Sequence, residues 1–144
     1  MKDSNIKILK LDTAVADYSA ALCRLYQIAG WESKPDCVTA YQFHTAHAHK
    51  ALEHSYCCFG AFDTDIMVGF FRALSDGVSD AYLLDLIVDP KYRKLGIGSE
   101  LCSQIVQYLK DKKIEWITAI STPEAYSLYS KIGAQMKNHT PFRF

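Results

Sequence analysis

Leu83-Leu84-Asp85-Leu86-Ile87-Val88-Asp89-Pro90-Lys91-Tyr92-Arg93-Lys94-Leu95-Gly96-Ile97-Gly98-Ser99-Glu100-Leu101 is the stretch around which this chain is organised. Leu83, Leu84, Leu86, Ile87 and Val88 form an apolar run of strand length, broken only by Asp85. Pro90 has no amide to donate, so the strand should stop near Asp89. Gly96 and Gly98 permit a positive φ or a close backbone approach. From Ser99 to Lys112 the apolar residues Leu101, Ile105, Val106 and Leu109 recur at helical spacing. A strand, a basic glycine loop and a helix start place free amides and a helix dipole beside Lys91, Arg93 and Lys94. That combination suits a phosphorylated ligand.

The kind of phosphate loop follows by elimination. A nucleotide-hydrolysing loop needs a lysine between its last glycine and the serine, and Ser99 follows Gly98 directly. A dinucleotide loop needs a third small residue near position 101, which is Leu101. The pattern present is Arg-x-x-Gly-x-Gly from Arg93 to Gly98, directly after a strand ending in Val-Asp-Pro. It resembles the acetyl-CoA loop of the GNAT acetyltransferase superfamily. A second stretch, Ala125-x-x-Leu128-Tyr129-x-Lys131-x-Gly133, resembles the other signature of that superfamily, in the usual order. Ala134 stands where members usually carry Phe. Thr122 stands where many carry an Asn that contacts the pantetheine arm. The resemblance covers roughly residues 56 to 140. Within it, the chain is most like small bacterial members similar to plant-type serotonin (arylalkylamine) N-acetyltransferases.

Length and composition agree with one ordinary domain. The 144 residues suffice for a sizeable core, and 16 basic residues balance 16 acidic ones. Without a charge run, no nucleic-acid or membrane-surface partner is expected. Met1 to Asn5 is polar and lacks a signal-peptide core, and no apolar run approaches the roughly 20 residues of a membrane span. The five cysteines show no paired spacing, so free thiols in a reducing cytoplasm are expected. Adjacent Cys57 and Cys58, on a probable strand, should point to opposite faces.

The remaining elements follow in order. Residues 6–11 alternate as a first strand. Residues 14–29 carry a helical stripe after Asp12 and Thr13, closed by Gly30. Residues 37–54 read as a second helix, with Val38, Tyr41, Ala48 and Leu52 on one side. Its His44 and His47 could share a face, but only Glu53 offers a further ligand, so these read as polar or packed histidines and no metal is expected. Residues 56–62 and 66–74 form an antiparallel hairpin, in which Val68-Gly69 lets neighbouring structure come close. Ser75-Asp76-Gly77 is a turn. Residues 114–120 form a strand parallel to the central one. Thr122 can cap, and Pro123 can start, a helix ending at Gly133. The tail from Ala134 is long enough for one or two closing strands around Pro141. The fold class is α/β: a mixed, mostly antiparallel sheet with a parallel pair at its heart and about four flanking helices.

The resemblance implies the chemistry. The parallel pair splays, and the backbone at Leu86, Ile87 and Val88 holds the pantetheine arm and acetyl carbonyl of acetyl-CoA. The amides of Arg93, Lys94, Leu95, Gly96, Ile97, Gly98 and Ser99 take the pyrophosphate, with Arg93 and Lys94 beside it, and Thr122 lines the arm. Tyr129 matches the family's general acid. An unperturbed tyrosine, pKa about 10, is protonated at neutral pH and can give a proton to the departing thiolate. Tyr126 reads as the packed tyrosine of that helix. Asp85 is the first candidate base, because a carboxylate in an apolar strand needs a partner or a purpose. Asp76 and Asp80 stand behind it, and many members use ordered water. Cys102 lies inside a helix and no nucleophile set is spaced around it. The expected acceptor is a small-molecule primary amine. Trp31, Tyr41 and Phe71 offer an aromatic lining for it. The alternatives are a protein or peptide amino group, or a sensor that binds acyl-CoA without catalysis. A homodimer through residues 135–144 is possible.

Overall fold

The computed structural model describes residues 5–31 and 40–144. Five strands form one sheet in chain order: β1 (Ile6–Lys10), β2 (Cys57–Asp63), β3 (Ile66–Ser75), β4 (Asp80–Val88) and β5 (Trp116–Ala119). The first four pair antiparallel, and β4 pairs with β5 in parallel. A parallel pair cannot be joined by a tight turn, and α3 (Ile97–Asp111) makes the crossover. α1 (Ser19–Ile28) and α2 (Ala40–His54) cover one face; α3 and α4 (Tyr126–Ile132) cover the other.

The two faces have separate cores, and a bulge at Val68 shifts the alternation of β3 between them. Cys57, Val68, Phe71 and Ala73 pack beneath α3, whereas Cys58, Met67 and Phe70 pack beneath α1 and α2. Cys57 and Cys58 therefore do point to opposite faces. Helix α3 sinks Leu101, Ile105 and Leu109 completely, each worth about 1.5–3 kcal/mol of apolar burial. It lies close because of Gly69, where a Cβ would come 3.1 Å from both Ile97 Cγ2 and Leu101 Cδ1.

The element ends differ from the sequence reading in places. The first helix begins at Ser19, not near residue 14. Asp12 Oδ1 accepts from the amide of Ala14, and Asp17 Oδ1 from that of Ser19, so side chains offer the backbone a competing turn. Its end is as expected. Gly30 has a φ of 69° and donates to Gln27 O, while Trp31 donates to Tyr26 O, closing a Schellman motif. Of the expected second helix, residues 37–39 lie outside the described residues; Ala48 and Leu52 are buried as anticipated. Helix α3 starts two residues before Ser99. β5 is shorter than residues 114–120: Ile114 is fully buried in the preceding turn and Ile120 is largely exposed.

The expected closing strands do not form: residues 133–144 contain no helix or strand. Lys137-Asn138-His139-Thr140 offers no apolar alternation, and Pro141 lacks a ladder donor. β5 itself presents only four residues of edge. The tail lies exposed, touching the sheet through the ring of His139 against that of Trp116. The strand edge expected to support a dimer is thus not formed.

Candidate functional site

The centre of the molecule is a break in β4. Its parallel pairing with β5 runs from Asp80↔Trp116 to Leu83↔Ala119, while β4 continues to Val88. The edge of Leu84–Val88 is thereby opened toward the end where the glycine loop begins. Within that segment the pairing to β3 shifts. Arg72 faces Leu84 and Phe70 faces Ile87, so Asp85 and Leu86 together oppose Phe71. This is a β-bulge. Asp85 takes a φ of 60°, a left-handed conformation that aspartate tolerates better than most residues.

One extra residue reverses the alternation beyond it. Before the bulge, Ala81 and Leu83 face α3; after it, Leu86 and Val88 face α3 and Ile87 faces α1 and α2. Asp85 sits at the reversal, and its carboxylate reaches the α1 side. Oδ2 accepts from Arg72 Nε at 2.6 Å and from the hydroxyl of Tyr26 at 2.7 Å. Arg72 also donates to Ser55 Oγ. The Arg72 and Asp85 side chains are only 11% and 19% exposed, so the pair is well removed from solvent. Burial first, and then the Asp85 charge, hold the Tyr26 hydroxyl protonated far above its usual range.

The glycine loop assigns its two glycines different tasks. Gly96 has a φ of 78° and its missing Cβ would meet nothing, so it serves conformation. Gly98 serves contact: a Cβ would lie 2.7 Å from Leu128 Cδ1, which brings α4 against the start of α3. Glu100 N donates to Gly96 O, the first bond of the helix, leaving the amides of Ile97, Gly98 and Ser99 as orphan donors. Arg93, Lys94, Leu95 and Gly96 are exposed, Ser99 is half-buried, and the Ile97 side chain is buried in the core. Ile97 can therefore serve a ligand only through its amide.

Tyr129 is half-buried against the α3 core, and burial, with Cys102 and Tyr82 nearby, pushes its hydroxyl well above 10. The expected division between the two tyrosines is reversed in burial. Tyr126 is 53% exposed and donates to Gln135 Oε1, so it is not the packed one. Thr122 is exposed, and its carbonyl, not its hydroxyl, closes the turn by accepting from Ala125 N.

Other candidates fall away from the site. Phe71 is fully buried under α3 and cannot line an acceptor pocket. The Tyr41 and His44 side chains lie outside the described residues. Trp31 and His47 both approach the Tyr26 ring, at 6.1 and 5.8 Å. Among the described residues no cluster of His, Cys, Asp or Glu could hold a metal. Asp76 is held near 2 by the amides of Val78, Ser79 and Asp80, which makes it the cap of a turn. Asp80 stands at the far end of β4. Cys102 is buried, and burial pushes its thiol up to about 12, which leaves no thiolate at neutral pH. A groove of about 560 Å³ lies between β1 and the glycine loop with the first turns of α3, and none of its lining residues belongs to the opened edge of β4. No local pattern marks Arg72, Tyr26 or Arg24 as the partners of these carboxylates, since the bonds span 13, 59 and 65 positions.

The sequence and the fold are matched elsewhere. The acetyltransferase (GNAT) family model fits residues 19–134. An uncharacterised N-acetyltransferase of Prochlorococcus marinus is 31% identical over 114 residues, covering 76% of this chain and 58% of that protein. Serotonin N-acetyltransferase 2, chloroplastic, of Oryza sativa is 30% identical over 91 residues, covering 60% of this chain and 46% of that protein. The chain thus spans about half the length of these relatives. A GNAT family acetyltransferase of Streptococcus pneumoniae superposes with a TM-score of 0.77 at 26% identity, covering 96% of both chains.

Proposed function

This chain belongs to the GNAT acetyltransferase family, and on that premise we propose that it is an acetyl-CoA-dependent N-acetyltransferase. Its acceptor is the primary amine of a small molecule, which attacks directly in a ternary complex. The observation that carries the reading is a coincidence in β4: the edge opens beyond Leu83, and the bulge sets the Asp85 carboxylate beside that opening.

Acetyl-CoA supplies an activated thioester. The amides of residues 97–99, with Arg93 and Lys94 beside them, take the pyrophosphate at the positive end of α3. Backbone groups of Leu86, Ile87 and Val88 hold the pantetheine arm and orient the acyl carbonyl toward the bulge. Thr122, just beyond β5, borders the arm. Asp85 accepts the amine proton, directly or through water; Arg72 and Tyr26 already occupy Oδ2, so Oδ1 is the accepting atom. Tyr129, kept protonated by burial, gives its proton to the departing thiolate. Among the described residues four free cysteines are buried, which suits a reducing compartment such as the cytoplasm.

Thiol release from acetyl-CoA, followed across a panel of small primary amines and peptides, tests this. Turnover on small amines is expected, with a drop of about 100-fold in Tyr129→Phe. Coenzyme binding without turnover, or an undiminished Tyr129→Phe, overturns the enzyme reading. Turnover confined to peptides overturns the small-molecule acceptor.

A further inference from the structure

We propose that Arg24 on α1 is a positioning residue for the coenzyme loop, acting through Asp89; this rests on the acetyl-CoA reading above. One guanidinium nitrogen donates to Met67 O at 2.6 Å, and the other to Asp89 Oδ2 at 3.2 Å. Three parts of the fold meet there: helix α1, the β2–β3 hairpin and the first residue of the loop.

Asp89 is 6% exposed. Its second oxygen accepts from Lys91 N, which starts the 3-10 turn Pro90–Tyr92. Its amide donates to Val68 O and its carbonyl accepts from Tyr92 N. Tyr92 in turn donates through its hydroxyl to Asp63 Oδ2. Apart from the Arg93 amide on Pro90 O, the bonds at the root of the loop run through Asp89 or the turn it starts. Arg24 is the side chain that ties Asp89 to α1.

The fork matters. A planar guanidinium can satisfy a carbonyl and a carboxylate together, whereas an ammonium is a point charge. With its side chain 40% exposed, Arg24 gains little from raw charge attraction, and its effect lies in fixing where Asp89 sits. Beyond Asp89 only Tyr92 packs partly against the core before Ile97, and its turn is itself bonded to Asp89, so the root sets the placement of the amides that meet the pyrophosphate. The same helix carries Tyr26 against Asp85. α1 therefore braces both the bulge and the loop.

The test is coenzyme affinity, separated from chemistry. Full-length Arg24→Met and Arg24→Lys are compared with wild type by calorimetric titration of CoA, steady-state kinetics and thermal melting. Arg24→Met should raise the CoA Kd and the KM for acetyl-CoA about tenfold, the scale of losing the charge-assisted bond to Asp89. The amine KM and kcat at saturating coenzyme should move less than about twofold. Arg24→Lys should restore part of the affinity. An unchanged CoA Kd, a kcat that falls as far as the affinity, or a lysine variant no better than methionine overturns the proposal. If Arg24→Met does not fold, Asp89→Asn keeps an acceptor for Lys91 N, removes the charge that Arg24 meets, and should raise the CoA Kd in the same way; an unchanged Kd there overturns the proposal. Wild-type protein that does not bind CoA overturns the acetyl-CoA reading itself and this proposal with it. Wild-type binding with an unaffected Arg24→Met overturns this proposal alone.

Discussion

The two faces of the sheet are built on different terms. Beneath α3 the packing is apolar throughout, and the close approaches are made by removing side chains, at Gly69 against α3 and at Gly98 against α4. Beneath α1 the core is interrupted by buried or half-buried charge, with Arg72 on Asp85 and Arg24 on Asp89. On the proposed reading, the α3 face shapes the coenzyme surface and carries Tyr129, whereas the α1 face holds Asp85 and the arginines that fix Asp85 and Asp89. The bulge in β4 exchanges the residues that face each side. The difference teaches where to look for each kind of failure: lost packing beneath α3, a lost charge partner beneath α1.

The comparison is tested most severely by Asp85→Asn. The amide keeps the size and removes the base, so kcat should fall about 100- to 1,000-fold while the CoA Kd stays put. A Kd that moved with kcat would show that the faces cannot be separated. Arg72→Met comes next. It leaves a largely buried carboxylate without its cation and should cost about 3 kcal/mol in urea unfolding. In an Asp85→Asn background that loss should shrink, which a double-mutant cycle would read directly. On the other face, Gly96→Ala meets no steric obstacle, so its cost is conformational, about 1–2 kcal/mol at a φ of 78°. CoA titration should weaken with it.

The last effect is a pH dependence that leaves neutral solution untouched. Cys57 and Cys102 both lie under α3, and burial pushes each thiol from 9.0 up to about 12. A group whose pKa is raised on folding stabilises fully below its unfolded value and loses that contribution as pH rises toward the folded one. Stability should therefore be indifferent to these thiols below pH 9 and decline between 9 and 12. The slope is at most about 1.4 kcal/mol per pH unit per thiol. Melting curves of Cys102→Ala should show a shallower decline.

What could be read from the sequence was what the sequence encodes locally. The strand before the glycines, the helix after them, the hairpin around Asp63-Thr64-Asp65 and the opposed Cys57 and Cys58 follow from spacing and turn chemistry. So does the parallel crossover. The start of α1 was misjudged because Asp12 and Asp17 draw backbone amides into turns that hydropathy does not register. The tail was misjudged because strand formation needs a partner edge, and β5 supplies four residues. Asp85 stood out by its charge in an apolar run, yet its left-handed backbone, and its bonds to Arg72 and Tyr26, exist only once α1, β3 and β4 are assembled. Arg24 gave no signal at all: on its own helix it resembles any surface arginine.

The bulge also acts as a parity counter. Between Leu83 and Val88 the number of residues decides which side chains meet the ligand face and which meet the α1 core, because each added or lost position exchanges the two sets. Removing Asp85 or Leu86 would straighten the ladder, yet it would turn the paired stretch from Asp80 to Leu83 over relative to the loop that follows. Loops elsewhere in the chain can lengthen or shorten by one residue with local effect. This segment cannot, so its length is as much a part of the site as any side chain in it.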